Sequence, residues 1–210
     1  MKLARRVLLF ATLLIISSGC TIATVRTLEE DVAAKEGFNP DFYVATIWDT
    51  EFLPTITEES VEIVMLLEAL ETNEEAATEQ YGNRTSTGPY SFMAQGEARI
   101  LELDRSSRVG LAPMDLPPYD GEADVFFAIG PVLRGNALRD AVGFIVFNDF
   151  TNQVEFASVS TALKDRITAD LLEQVDLEAL VGETVRFVGA FTYEDPDEVV
   201  IMPVILEGVE

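Results

Sequence analysis

From Phe92 to Leu101 the chain reads FMAQGEARIL, with Phe92, Ala94, Gly96, Ala98 and Ile100 alternating against Met93, Gln95, Glu97 and Arg99. A period of two places one set on each face of a strand, so this segment is expected to be half-buried β-structure. The turn DRSSR follows, then a strand VGLAPMDL, a loop PPYDGE and a further apolar run, DVFFAIGPVL. Together these read as an antiparallel meander. The same order returns near the C-terminus. VRFVGAFTY alternates Val185, Phe187, Gly189, Phe191 and Tyr193, its turn is EDPDE, and the strand VVIMPVIL follows.

Other stretches carry helical spacing. Asn39-Pro40 reads as a cap with proline at the first helical position, opening DFYVATIWDTEFL. Thr57 or Ser60 starts SVEIVMLLEAL, whose Val61, Val64, Met65 and Leu67 or Leu70 recur at nearly one helical face. A second short helix covers NEEAATEQYG and stops at Gly82. A longer one is expected over FASVSTALKDRITADLLEQV, with Asn152 or Thr151 starting the turn into it. Near the N-terminus, TLEEDVAAKEGF has Thr27 as N-cap and Glu30 as its reciprocal partner.

The two strand-rich segments match in detail. Pro113 stands four residues after Val109, as Pro203 stands four after Val199, and each first strand is centred on a glycine, Gly96 or Gly189. A fainter echo pairs Trp48-Asp49 with Phe147-Asn148, and Ser60-Val61 with Ser158-Val159. A glycine inside a strand marks a bulge or a sharp bend at a barrel corner, and a proline, which cannot donate to a ladder, belongs at an edge or bulge. The expected fold class is therefore α+β: two tandem OB-like small β-barrel units with associated helices, following an N-terminal signal and tether. The expected boundaries are a signal at 1–19, a lipidated tether and short helix at 20–37, a first copy at 38–130 and a second at 131–210.

The N-terminus changes the picture from fold to compartment. MKLARRVLLFATLLIISSGC sets Lys2, Arg5 and Arg6 before an apolar run from Val7 to Ile16, then small residues, as an export signal does. The run is shorter than the ~20 residues a spanning helix needs. Cys20, the sole cysteine of the chain, directly follows Gly19, a placement that resembles a bacterial lipoprotein box, although Ser17 stands where leucine is usual. Lipidation at Cys20 would hold the protein on a membrane through its acyl chains alone, at about 0.8 kcal/mol per buried CH₂. The expected location is the periplasmic face of a bacterial membrane. Thr21 is not the aspartate that retains lipoproteins at an inner membrane, which favours the outer membrane in a Gram-negative host.

Charge and missing residue types narrow the chemistry. The formal net charge of −23 becomes −26 once the three basic residues of 1–19 are removed, so nucleic acid and anionic lipid surfaces are poor partners. With no histidine and one cysteine placed for lipidation, imidazole triads, Cys/His nucleophile pairs and ordinary zinc sites are excluded. No catalytic residue, metal-ligand set or cofactor is assigned. Gly130 and Gly135 are spaced as in a phosphate loop, but Asn136 and Ala137 replace its Lys and Ser/Thr. Asp120 to Asp124 lack the oxygen spacing of a calcium loop and read as a hairpin turn.

The candidate site is the segment from Gly130 to Phe156, where arginines and amides stand in an apolar setting. Asn136 is a helix cap with Arg139 and Asp140 close by. A partly buried arginine needs a carboxylate or carbonyl, so Arg134 and Arg139 are either a clamp between two domains or the recognition element for a carboxylated or hydroxyl-rich ligand. Asn148, Asp149 and Asn152 are likewise either turn-capping residues or part of a surface where amides bridge sugar hydroxyls beside aromatic faces. Phe144, Val146 and Phe147 are expected in the core. Were the protein instead a carboxylate-based hydrolase of cell-envelope glycans, Asp140 and Asp149 would be its nearest acidic pair.

The GC at the signal end, YVATIWDTEFLPT, YGNRTSTGPYSF, GPVLRGNALRDAVGFIVFNDFTNQVEFA and GAFTYEDPDEVVIMPVIL resemble a bacterial family of predicted periplasmic lipoproteins, domain of unknown function 2291. The resemblance spans nearly the whole chain after Cys20 and carries no established activity. It implies a setting near carbohydrate ABC uptake, with transporter or solute-binding components as partners of a non-enzymatic accessory or binding protein.

Overall fold

The strand around Gly96 forms as β2 (Ser91–Ile100), and it joins the two halves of the sequence. The computed structural model describes residues 37–209 apart from Ser86 and Asp197, and from Asn39 these form one compact unit. The expected signal, Cys20 and the helix from Thr27 fall outside the described residues.

β3 (Leu111–Asp115), β4 (Val125–Ala128), β5 (Thr184–Thr192) and β6 (Val200–Gly208) complete the sheet. The strands run in the order β2-β3-β4-β6-β5, and β5 pairs back onto β2 to close a five-stranded barrel. All barrel neighbours are antiparallel except β4 and β6. A two-residue β1 (Val61–Glu62) adds in parallel to β2.

The expectation of two tandem barrels is corrected by this pairing. β2 meets β3 only through Arg99–Ile100 and Met114–Asp115, whereas it meets β5 from Ser91↔Thr192 to Arg99↔Thr184. A three-stranded meander leaves open edges and cannot enclose a core, so the strands of the supposed copies complete each other. The two halves are alike in that each central glycine meets a close neighbour, but only Gly189 lies at a register shift. Gly189 sits where the β5–β6 register shifts, opposite Pro203, and a Cβ there would lie 2.5 Å from the Met202 carbonyl oxygen. At Gly96 a Cβ would come within 2.9 Å of the Ile63 side chain. Both glycines thus admit close neighbours, and Pro113 lies just beyond the short β2–β3 ladder.

Fully buried Phe92, Phe127, Phe187 and Phe191 fill the barrel, and α3 (Ile63–Tyr81) adds Ile63, Leu66 and Leu70 to the same core. Each such side chain contributes roughly 1.5–3 kcal/mol by leaving water. α3 starts at Ile63 rather than Ser60 because Val61 and Glu62 are taken by β2, while the Ser60 hydroxyl donates to the Ile56 carbonyl. Asn73 breaks α3 with φ −157° and ψ 88°, and its side chain accepts from the Ala76 amide, so the expected second helix begins there within one run.

The remaining helices form a layer beside the barrel. α1 (Pro40–Ile47), capped by the Asn39 side chain, leads through a π-helical turn, Trp48–Phe52, into α2 (Leu53–Glu58). Between β4 and β5 come α4 (Ala137–Ala141), a 3-10 turn Phe147–Asp149 and α5 (Gln153–Ile167), with α5 packed on α1. Val146 and Phe147, expected in the core, are 44% and 41% exposed, and Phe144 is half-buried. Ile145, Phe150 and Phe156 hold the buried positions instead, because the 3-10 turn rotates the chain between them.

Candidate functional site

α4 is held in place from three directions. Gly135, with φ +80°, turns the chain into the helix, and its carbonyl accepts from Lys164 Nζ of α5 at 3.0 Å. Asn83, in the connection between α3 and β2, donates to the Ala141 carbonyl at 2.7 Å. Two residues on, Thr85 Oγ1 donates to Asp140 Oδ1 at 2.8 Å. Burial pushes the Lys164 ammonium below the ordinary lysine value, with Asp165 opposing this and the Arg139 charge adding to it.

Arg139 is the centre of the arrangement and is 5% exposed. Its Nε and Nη2 both stand 2.8 Å from Asp140 Oδ1, its Nη1 donates to the Phe156 carbonyl at 3.3 Å, and its guanidinium lies 3.7 Å from the centre of the Phe156 ring. A guanidinium so placed has its charge paired, each of its three nitrogens in contact with an oxygen and a flat face against a ring. It ties α4 to α5 within one folded unit, which corrects the expectation of a clamp between two domains.

The same knot forms a wall of a cleft of about 530 Å³. Asn136, Arg139 and Asp140 line it from α4, Gln153 and Phe156 from α5, and Phe147 from the 3-10 turn. The rest of the lining comes from Thr85, Pro89, Ser91, Thr192 and Glu194, and there the Ser91 and Thr192 hydroxyls stand 3.0 Å apart. The half-exposed Phe147 ring stands edge-on to Phe156, centroids 5.7 Å apart. An exposed aromatic face, two amides, hydroxyls and carboxylates therefore converge on one space.

The remaining candidates are dispersed. Arg134 is exposed and lines a neighbouring cavity, and Asn148 lines a third beside Asn83, Arg84 and Asp140. Asp149 is exposed on the 3-10 turn and lines neither the cleft nor those two cavities. Asn152 caps α5, accepting from the Val154 and Glu155 amides, while Glu155 reaches back to the Thr151 amide at 2.9 Å. That is the local capping arrangement Asn and Glu favour at this spacing. Asn136 occupies the cap position of α4 without a side-chain cap bond, leaving its amide on the cleft. Among the described residues no group of three or more acidic, His or Cys side chains could hold a metal ion.

Thr85, Thr192 and Glu194 escaped sequence reasoning. They lie about fifty residues from α4 on either side and reach the cleft only because β2 and β5 pair along their whole length. The sequence pattern places Phe147 in the core, whereas its ring lines the cleft. Its polar neighbours Asn148 and Asp149 were the available signal that this stretch faces outward.

A family model described as a predicted periplasmic lipoprotein, DUF2291, matches residues 10–207. The chain belongs to this family. Membership makes it an exported, membrane-anchored lipoprotein, and the family carries no assigned activity. A crystal structure of an OB-fold protein from Thermotoga maritima is similar, with a TM-score of 0.67 and 22% identity, covering 82% of this chain and 99% of that one. At that identity the likeness carries the fold alone: the lipoprotein is a mixed α+β protein whose closed five-stranded barrel is OB-like. No curated protein matches the chain.

Proposed function

We propose that this lipoprotein is a non-enzymatic binding component that captures a hydroxyl-rich ligand in the α4–α5 cleft, in the service of carbohydrate ABC uptake. The observation that carries the reading is the cleft's mixed lining, with the half-exposed Phe147 ring beside Asn136, Gln153, Thr85 and Glu194. Sugar rings present apolar C–H faces that stack on aromatics and hydroxyls that bridge amides and carboxylates, so this combination fits their surface. Arg139 and Asp140 serve chiefly as the fixed wall that keeps those groups apart and aligned.

Anchoring through Cys20 would keep the cleft beside the membrane whose transporter or solute-binding components take up the ligand. In a Gram-negative host Thr21 favours the outer membrane. The hydrolase alternative draws less support. Asp140 Oδ1 is already shared between Arg139 and Thr85, and Asp149 lies on an exposed turn and does not line the cleft.

The test is isothermal titration of the full chain, held in a sugar-free detergent, against neutral mono- and oligosaccharides. Saturable binding is expected, weakened about three- to tenfold in Phe147→Ala by loss of the aromatic face. Absence of binding across the panel sinks the reading. For partners, affinity capture from host membranes should bring down uptake components, and capture of none of them removes the transport setting.

A further inference from the structure

The α4–α5 cleft does not end at its wall. Gly135, Thr192 and Glu194 also line a second cavity of about 320 Å³, so the two cavities adjoin along these residues. Ser91 begins β2, Thr192 ends β5 and Val200 begins β6 at one end of the barrel, and from there the second cavity runs past Met202 to Ala128 and Leu111. Each volume falls within the range of small-ligand pockets, ~300–1,000 Å³, so a ligand that fills the first and continues past Thr192 enters the second.

The two parts differ in character. In the first, the Arg139 charge is matched by Asp140 at 2.8 Å. The second has an apolar floor of Leu111, Ala128, Val200 and Met202, and a rim of Glu194, Asp195 and Glu198 from the β5–β6 connection. Arg134 is the cation of that lining. It forms no ion pair with any described residue, in a chain where 37 acidic residues face 14 basic ones. An apolar floor suits the C–H face of a sugar ring, carboxylates accept from its hydroxyls, and a guanidinium donates to its ring and linkage oxygens. Three carboxylates also disfavour an acidic sugar.

We propose that the second cavity is a subsite for the continuation of the same ligand, so that the protein selects a neutral oligosaccharide over a single sugar and over uronic-acid oligomers. This rests on the reading of the cleft given above and adds the ligand's length and charge.

The experiment titrates the full chain in sugar-free detergent with neutral gluco-, manno-, galacto- and xylo-oligosaccharides of increasing length, and with an oligogalacturonate. For the recognised series, affinity is expected to rise about tenfold from the single sugar to the trimer, the gain from covering one further sugar face. Arg134→Ala should remove about threefold of the trimer's affinity and leave the single sugar unchanged. Because Arg134 is exposed, that variant should fold as the parent does, which circular dichroism checks. Binding that is independent of length overturns the subsite while leaving the cleft reading intact. Equal or tighter binding of the oligogalacturonate overturns the charge assignment, and no binding at any length removes the inference together with the reading it rests on.

Discussion

The seam between β2 and β5 and the connection from α4 to α5 are built on opposite principles. The seam is regular and repetitive: nine residue pairs run from Ser91↔Thr192 to Arg99↔Thr184, and among them Phe92 stacks on Phe191 with centroids 5.4 Å apart. The connection is short, polar and singular, since five residues of α4 are fixed by one guanidinium, one carboxylate and three carbonyl contacts. A repetitive element distributes its stability over many positions and tolerates most single changes. A knot concentrates it in two side chains, and those two are also the wall of the cleft. The proposed site thus shares its wall with a contact that depends on a single buried charge pair.

β5 also carries a bulge on its other edge, against β6, and the largest effect is expected there. Gly189→Val would drive a side chain into the Met202 carbonyl, 2.5 Å from the position of the new Cβ, and into the Ile201 side chain at 2.8 Å. Backbone has no rotamer with which to give way. A loss of ~3 kcal/mol or more is expected by urea denaturation. A loss below ~1 kcal/mol would mean that β6 can slip past the bulge, and the contrast between a fixed seam and a fragile knot would weaken.

The knot is tested by a cycle. Asp140→Ala leaves Arg139 buried without its carboxylate and should cost about 3 kcal/mol. Arg139→Met combined with Asp140→Ala removes both charges and keeps an apolar filler against Phe156, so the double variant should be more stable than Asp140→Ala alone. Simple addition of the two single losses would show that the residues act separately, and the knot would then be two unrelated contacts.

The same contrast governs what was legible in the sequence. β2, β5 and β6 and the caps at Asn39 and Asn152 could be read because alternation and capping are local properties that appear within ten residues. The number of barrels could not, because two similar strand pairs are equally compatible with two closed sheets and with one. Only the long β2–β5 ladder decides between them. At the site, Asn136, Arg139 and Asp140 were visible as polar residues in an apolar run, and they do line one cleft. Whether Arg139 binds its neighbour or a ligand depends on the Phe156 carbonyl and ring, seventeen residues away. Exposure of Phe147 was hidden because an aromatic residue closing the apolar run Phe144 to Phe147 looks like core until the 3-10 turn is known.

The smallest effect is expected where the seam meets β1. Glu62 lies over Gly96, and a Cβ on that glycine would come within 3.1 Å of the Glu62 carboxylate. Burial raises the Glu62 pKa above the ordinary glutamate value, the amides of Ile63 and Val64 oppose this, and nearby Glu97 adds to it. A carboxyl whose folded pKa is raised is favoured in its neutral form by the fold. Its contribution is fully present below the unfolded pKa and is lost as pH rises through the folded one. At neutral pH the charged Glu62 is therefore a small cost. Glu62→Gln should melt slightly higher than the parent at neutral pH, and the difference should close as pH falls below the ordinary glutamate range. If the variant instead melts lower at neutral pH, the carboxylate's hold on the Ile63 and Val64 amides at the start of α3 outweighs its burial. The edge of the seam would then be fixed, like the α4 knot, by one charged side chain.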